Sequence, residues 1–326
     1  MQELIARAAI KPAKIVFPEG NDKRIQEAAI EVKRLKIAEP IIFHKQDQRL
    51  QSLGIEVIDP SHDEVINKYV DTYIQIRKNK SLGVDASKKL LISNPVFIAA
   101  LMVRVGLADA LIAGAENTTK DVAKAVIHCI GPNEGKTIVS SCFIMDTKNE
   151  KFGHQGKFMF ADSGIIVSPS SEQLAEIAID SGDLFRKIFD AEPYVALLSY
   201  ATHGSASGES IDKIRSALEI VKSKRSDLKI DGELQGDAAI VKEVADIKCS
   251  DSEVAGRANV LIFPDLNSGN ICYKLVDRLV DAEALGPIFL GTRKPASDLS
   301  RGCAVSEIVL VSAVLSIMAQ LQNMDA

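Results

Sequence analysis

The chain has 326 residues, of which 46% are hydrophobic, 25% charged and 5% aromatic, with no Trp. That is a globular composition, and it excludes a mainly disordered or collagen-like chain. Lys and Arg number 39 against 44 Asp and Glu, a net charge of −5, and the basic residues are interspersed with acidic ones, so electrostatics gives no reason to expect nucleic acid as a partner.

A core of Ala, Val, Ile and Leu suits helices laid over parallel strands, and the length exceeds what one hydrophobic core usually organises. The pattern agrees from the first unit on. KIVFPEG (14–20) is a buried strand ending in a turn, after which Asn21 or Asp22 can cap the helix RIQEAAIEVKRLK. EPIIFH (39–44) is the next strand. Two long helical stretches follow, 62–79 and 86–106, the second interrupted before Pro95, which removes a helix donor. Further strands are expected at 108–114, 136–146, 194–204, 228–234, 258–265 and 287–292, with helical patterns between most of them.

The rhythm breaks at KNEKFGHQGKFMFADSG (148–164), where two short runs flank Gly153 and Gly156 as a hairpin would. The last helix, EIVLVSAVLSIMAQLQ, is apolar over most of its circumference, so it must be buried, returning to pack on the first domain. The expected fold is therefore two-domain, three-layer α/β/α with mostly parallel sheets. Residues 1–146 plus 295–326 form one lobe and 147–294 the other, with the active site in the cleft between them.

The five cysteines, at 129, 142, 249, 272 and 303, contain no C-x-x-C pair, and the five histidines lie far apart, so no metal-ligand spacing emerges. This cysteine usage fits a reducing cytoplasm. The start lacks a long apolar h-region, and no later apolar run reaches membrane-spanning length, so neither export nor a membrane span is expected. GPNEGKT (131–137) resembles a phosphate loop but has three residues where the motif needs four, and it stands between a helix and a strand in the wrong order. It reads as a helix-to-strand turn. No G-x-G-x-x-G occurs to hold a dinucleotide.

Ligands in open α/β sheets bind at the carboxyl ends of strands. Three segments place polar residues there. SYATHGSASGES (199–210) offers hydroxyls, backbone amides and His203, or simply a Ser-rich helix cap. FPDLNSGN (263–270) offers Asn267 and Ser268, which ordinary turn chemistry explains equally well. GTRKPASDLSRGCAVSE (291–307) concentrates Arg293, Lys294, Ser300, Arg301 and Glu307. Arg301 has a planar fork for two phosphate oxygens, Ser300 a hydroxyl, and Glu307 a carboxylate for acid/base work. The bland reading is that Ser306 caps the last helix and Glu307 complements its dipole.

At these segments the chain resembles the phosphate acetyltransferase (phosphotransacetylase) family over essentially its whole length. The resemblance is carried by FPEGNDKRIQEAA, KFGHQGKFMFADSG, SYATHGSA, IDGELQGDAAIV, ANVLIFPDLNSGNICYKL and GPIFLGTRKPASDLSRGC. It implies a homodimeric enzyme, related in fold to the isocitrate and isopropylmalate dehydrogenases, that interconverts acetyl-CoA plus phosphate with acetyl phosphate plus CoA. CoA, acetyl phosphate and phosphate are then substrates, and no redox cofactor is implied.

Carried over by position, the family's catalytic Ser-Arg pair falls on Ser300 and Arg301, and a substrate arginine on Arg77. A second family arginine aligns to Lys124, which keeps the charge but loses the fork. The catalytic aspartate aligns to Glu307, one methylene longer, and Glu116 departs from a small, hydroxyl-rich turn. The resemblance leaves two alternatives: a relative acting on a longer acyl group such as butyryl, and a non-catalytic CoA-sensing module.

Overall fold

The computed structural model describes residues 1–77 and 83–322. In chain order the elements are α1 (Gln2–Ala8), β1 (Ala13–Phe17), α2 (Lys23–Arg34), β2 (Ala38–Phe43), α3 (Gln48–Ser52), β3 (Glu56–Ile58), α4 (Asp63–Ile76), α5 (Val84–Ser93), α6 (Val96–Arg104), β4 (Ala110–Ala113) and α7 (Thr119–Ala125). A π-turn (Val126–Ile130) extends α7 and precedes β5 (Ser140–Asp146), β6 (Lys157–Ala161), α8 (Ser171–Phe189), β7 (Tyr194–Leu198), α9 (Glu209–Lys224) and β8 (Lys229–Leu234). Then come α10 (Gly236–Ile240), α11 (Lys242–Lys248), β9 (Val260–Ile262), α12 (Leu266–Leu279), β10 (Glu283–Leu290), β11 (Ala296–Asp298) and α13 (Val305–Gln322).

The chain divides into two compact units, residues 1–135 with 292–326 and residues 136–291. In the first, the strand order is β3-β2-β1-β4-β11 and every neighbouring pair is parallel. In the second, the order is β10-β5-β6-β9-β7-β8; β10/β5 and β5/β6 are antiparallel and the other pairs parallel. The mostly parallel α/β class expected from the alternation of short apolar runs with helical patterns is the one observed.

The domain boundaries expected at 146/147 and 294/295 fall instead at 135/136 and 291/292. The physical reason is β5. It pairs with β6, Cys142 opposite Ala161, and with β10, Phe289 opposite Ser141, so the apolar run after GPNEGKT belongs to the second unit. The same pairing moves the hairpin expected within 148–164: its two strands are β5 and β6. Its tip is closed by the Thr147 N–H donating to the Gly156 carbonyl at 2.9 Å. GPNEGKT is the expected turn, with Gly131 at φ +74° and Pro132 bridged to Thr292. The short strands β3 and β11 carry too few residues for period-two alternation to stand out from their surroundings.

Local chemistry accounts for the helix ends. The Asp22 carboxylate accepts the Arg24 N–H at 2.8 Å and caps α2. The stretch around Pro95 is two helices, α5 and α6, bent by 109°, with the Asn94 side chain accepting the Val96 N–H at 3.1 Å. The expected extension of α4 to residue 79 lies outside the described residues.

Among the described residues, α13, with a mean hydropathy of 1.7, and the bent pair α5–α6 are long and apolar enough to cross a membrane by length and composition. Here α13 is a core helix, packed on α1, α2, β1 and β4 with most of its side chains buried. Its polar groups hold the start of the chain: Ser316 Oγ accepts the Ala13 N–H at 3.0 Å, and Gln320 Nε2 donates to the carbonyls of Ala8 and Lys11 at 2.9 and 2.8 Å.

Candidate active site

In the first unit the strands are parallel, so the turns after β1, β4 and β11 emerge at the same edge of the sheet. Glu19, in the turn after β1, is only 3% exposed. A buried carboxylate is tolerable only when hydrogen-bonded. Its two oxygens accept the backbone N–H groups of Gly114, Ala115, Glu116 and Asn117 and the Asn117 side-chain amide, at 2.8–3.1 Å. This one side chain therefore shapes the turn after β4. Gly114 has φ +113°, and a Cβ there would lie 2.3 Å from Asp298 Oδ1, so glycine allows β4 and β11 to end in direct contact. The Leu299 N–H donates to the Ala113 carbonyl across that contact at 2.6 Å.

The turn after β11 carries the expected catalytic pair. Ser300 and Arg301 are exposed. The turn closes by the Cys303 N–H donating to the Ser300 carbonyl at 2.9 Å, and Ser300 Oγ accepts the Gly302 N–H at 3.3 Å. That bond leaves the hydroxyl hydrogen of Ser300 available to a ligand. The Arg301 guanidinium makes no hydrogen bond or ion pair among the described residues. Glu307 lies half-buried in the first turn of α13, near enough to Cys303 for its charge to act on the thiol. The helix starts at Val305, so Ser306 lies inside its first turn rather than before it.

Cys303 is 4% exposed. Burial pushes its thiol up to about 11, against the lowering charge of Arg24 and with the raising charges of Glu307 and Asp22. It is a protonated, packed thiol near neutrality rather than a nucleophile. Asp298 is 1% exposed, with the Thr119 hydroxyl beside its carboxylate. Burial raises it to about 7; the Thr119 hydroxyl and the Arg301 charge pull it down and Glu19 pushes it up.

All five expected site residues fall in the first unit, but not in one cluster of contacts. Ser300, Arg301 and Glu307 lie together around the start of α13. Arg77 closes α4, its N–H donating to the Tyr73 carbonyl at 3.0 Å, and its Nε is buried without a partner. Its charge reaches Cys129 in the π-turn. Lys124 is exposed in the last turn of α7, the helix that begins at Thr119 beside Asp298. Among the described residues, neither Arg77 nor Lys124 makes a hydrogen bond or ion pair with the 300–301 turn. Glu19, Arg24 and Asp298 were not among the expected site residues; FPEGNDKR and PASDLSR contain them, but nothing in a single sequence shows which distant backbone each side chain meets.

In the other two strand-end segments, both in the second unit, Thr202, His203, Ser205 and Ser268 have partners, while Ser199 Oγ is buried without one among the described residues. Thr202 and Ser205 bond within their own turn and to Gln235. His203 Nε2 lies 3.1 Å from Asp231 Oδ2. Glu233, 1% exposed, takes two bonds from the Arg215 guanidinium and one from the Gly204 N–H, all at 2.9 Å. In FPDLNSGN, Asp265 caps α12 by accepting the Ser268 N–H at 2.9 Å, and the Ser268 hydroxyl returns to the Asp265 carbonyl. Ordinary cap and turn chemistry accounts for Ser268.

A parallel α/β unit whose strand ends present an open arginine, an open hydroxyl and a carboxylate at a helix start has the make-up of a transferase acting on anionic substrates. The chain belongs to the phosphate acetyl/butaryl transferase family, whose model matches residues 1–316. It is 44% identical over 326 residues to the phosphate acetyltransferase of Thermoanaerobacterium thermosaccharolyticum, covering 98% of this chain and 99% of that one. It is 45% identical over 321 residues to the phosphate acetyltransferase of Borreliella burgdorferi, covering 93% and 91%. A phosphotransacetylase from Streptococcus pyogenes superposes with a TM-score of 0.89 at 37% identity, covering 98% of each chain.

Proposed function

We propose that this chain is an acyltransferase that moves an acetyl group reversibly between CoA and inorganic phosphate. A CoA-type thiol, with an unperturbed pKa of about 8.5, is mostly protonated near neutrality, and its acyl donor carries repelling negative charge. In this reading Glu307 takes the thiol proton, the sulfur forms its bond to the acetyl carbon, and the bond from that carbon to the phosphate oxygen breaks. The leaving phosphate carries away the electron pair. Arg301, with Arg77 and Lys124, neutralises phosphate oxygens, and the Ser300 hydroxyl donates to the oxyanion that develops at the carbonyl. One such donor contributes roughly 3–4 kcal/mol in the transition state, and holding both substrates in line about 7–11 kcal/mol. No acyl-enzyme is needed and no further cofactor enters.

The observation that carries this reading is the open guanidinium of Arg301 beside the open hydroxyl of Ser300, in a chain that matches the family over nearly its full length. Acetyl is favoured over longer acyl groups because the relatives at 40–45% identity are phosphate acetyltransferases. The test is thiol release from acetyl-CoA with and without inorganic phosphate, run in parallel with butyryl-CoA. Release that requires phosphate and prefers acetyl supports the reading; preference for butyryl reassigns the acyl group, and no release in either arm favours a CoA-sensing module.

We further place the enzyme in the cytoplasm, consistent with its five free cysteines, and pair it with a second copy of itself. On α12, Ile271, Leu275 and Leu279 are exposed at helical spacing, 57%, 53% and 78%, an apolar stripe of the kind a subunit contact covers.

A further inference from the structure

From the engagement of all five of its N–H donors, we infer that Arg24 is a positioning residue that sets the geometry of the Ser300–Arg301 turn. The inference rests on the acetyl-transfer reading and names a residue that this reading does not use. Arg24 lies in the first turn of α2, yet its guanidinium reaches two other strand ends. Nη1 donates to the carbonyls of Arg301 and Cys303 at 2.8 and 3.1 Å. Nη2 donates to the Ala115 carbonyl at 3.2 Å and to Asp22 Oδ2 at 2.6 Å. Nε faces both oxygens of Asp22 at 3.1 and 3.2 Å. A guanidinium has five N–H groups in a fixed plane, and here each has an acceptor in the protein.

Two consequences follow. No donor remains for a ligand, and Asp22, whose carboxyl is held below the usual carboxylate range by Arg24, cancels the charge. Arg24 therefore differs in kind from Arg301, whose side chain is exposed and makes no hydrogen bond or ion pair among the described residues. What Arg24 supplies is geometry. It fixes the carbonyl of the residue that would hold phosphate, and ties that turn to the loop after β4, whose amides Glu19 gathers. Asp22 also caps α2, so the clamp is anchored to a regular element rather than to a mobile loop.

A lysine cannot replace it, because an ammonium presents its donors from one point and cannot span three carbonyls and a carboxylate in a plane. Small misplacements of reacting groups can cost about 100-fold in rate.

The experiment uses the full chain with Arg24→Ala and Arg24→Lys, and reads kcat and KM for acetyl-CoA and phosphate, melting temperature, and backbone hydrogen exchange of 299–304. The expected result is a kcat lowered about 100-fold in both variants, with KM for either substrate changed less than about threefold. Exchange of 299–304 speeds up while that of the second unit stays unchanged. A kcat within twofold of wild type in folded Arg24→Lys, or unchanged exchange in the turn, overturns the inference. If either variant fails to fold, the other decides. If the wild-type chain shows no phosphate-dependent thiol release, the acetyl-transfer reading fails separately, and the exchange of 299–304 alone then decides whether Arg24 fixes the turn.

Discussion

The turn after β11 and the turn after β7 look alike in sequence, each a short run of hydroxyl, glycine and basic or imidazole residues following an apolar strand. Their hydrogen bonding separates them. After β7, Thr202, Ser205 and His203 have protein partners, and nearby Arg215 is bound by the buried Glu233. After β11, the backbone is held by Arg24 while the side chains of Ser300 and Arg301 face outward. A buried polar group with a partner stabilises the fold; an exposed group with bonding capacity to spare, such as the Ser300 hydroxyl hydrogen, is available to a substrate. Arg24 and Arg301 state the same contrast within one site.

Substitutions on the two sides of this comparison should fail differently. The largest effect is expected for Arg301→Ala, with kcat down about 10²–10³-fold and melting temperature nearly unchanged. Arg301→Lys should recover charge without the bidentate fork and remain well below wild type. Steady-state kinetics beside thermal melts checks this, and equal activity in all three proteins would break the comparison. Glu307→Gln keeps size and removes basicity; kcat should fall about 100-fold and lose its dependence on an ionising base across pH. A pH–rate profile identical to wild type would assign the proton to another acceptor.

On the satisfied side, Arg215→Ala should act on stability. Burial raises Glu233 but Arg215 and the Gly204 N–H bring it down to about 2, so removing Arg215 leaves a buried carboxylate without its countercharge and lowers stability. Because this folded pKa is depressed, the wild-type contribution is present above the unfolded value of about 4.5 and is lost as pH falls toward 2. Urea unfolding at pH 7 and pH 3 should show the mutant's deficit shrinking at the lower pH.

Asp298 has the opposite sign. Its folded pKa is raised to about 7 from 3.8, so the stabilising protonated form is lost as pH rises through that window. Asp298→Asn should flatten the dependence of melting temperature on pH between about 4 and 7, and an unchanged slope would assign that dependence to another group. The smallest effect is expected for Asp265→Ala, the α12 cap, at about 1 kcal/mol with kcat unaltered.

Much of the architecture is legible in the sequence because strands buried on both faces are short apolar runs and helices carry a 3.6-residue period, as in β1, α2 and α8. Asp22 and Pro95 mark a start and a break by their own backbone chemistry. The unit boundary lies before β5 rather than after it: β5 is apolar like its predecessors, and only its antiparallel partners, β6 and β10, reveal which strands it joins. Ser300, Arg301 and Glu307 are local in sequence and so were visible together. Glu19, Arg24 and Asp298 act on backbone 91 to 279 residues away or through burial, and neither distance nor burial is written in a single sequence.

If chemistry takes place at the Ser300–Arg301 turn, a structure of the chain with CoA bound will show it. The sulfur is expected within reach of the Ser300 hydroxyl, with Glu307 facing it and Arg301 turned toward the phosphate position; a sulfur seated instead beside His203, or away from both turns, would contradict the claim.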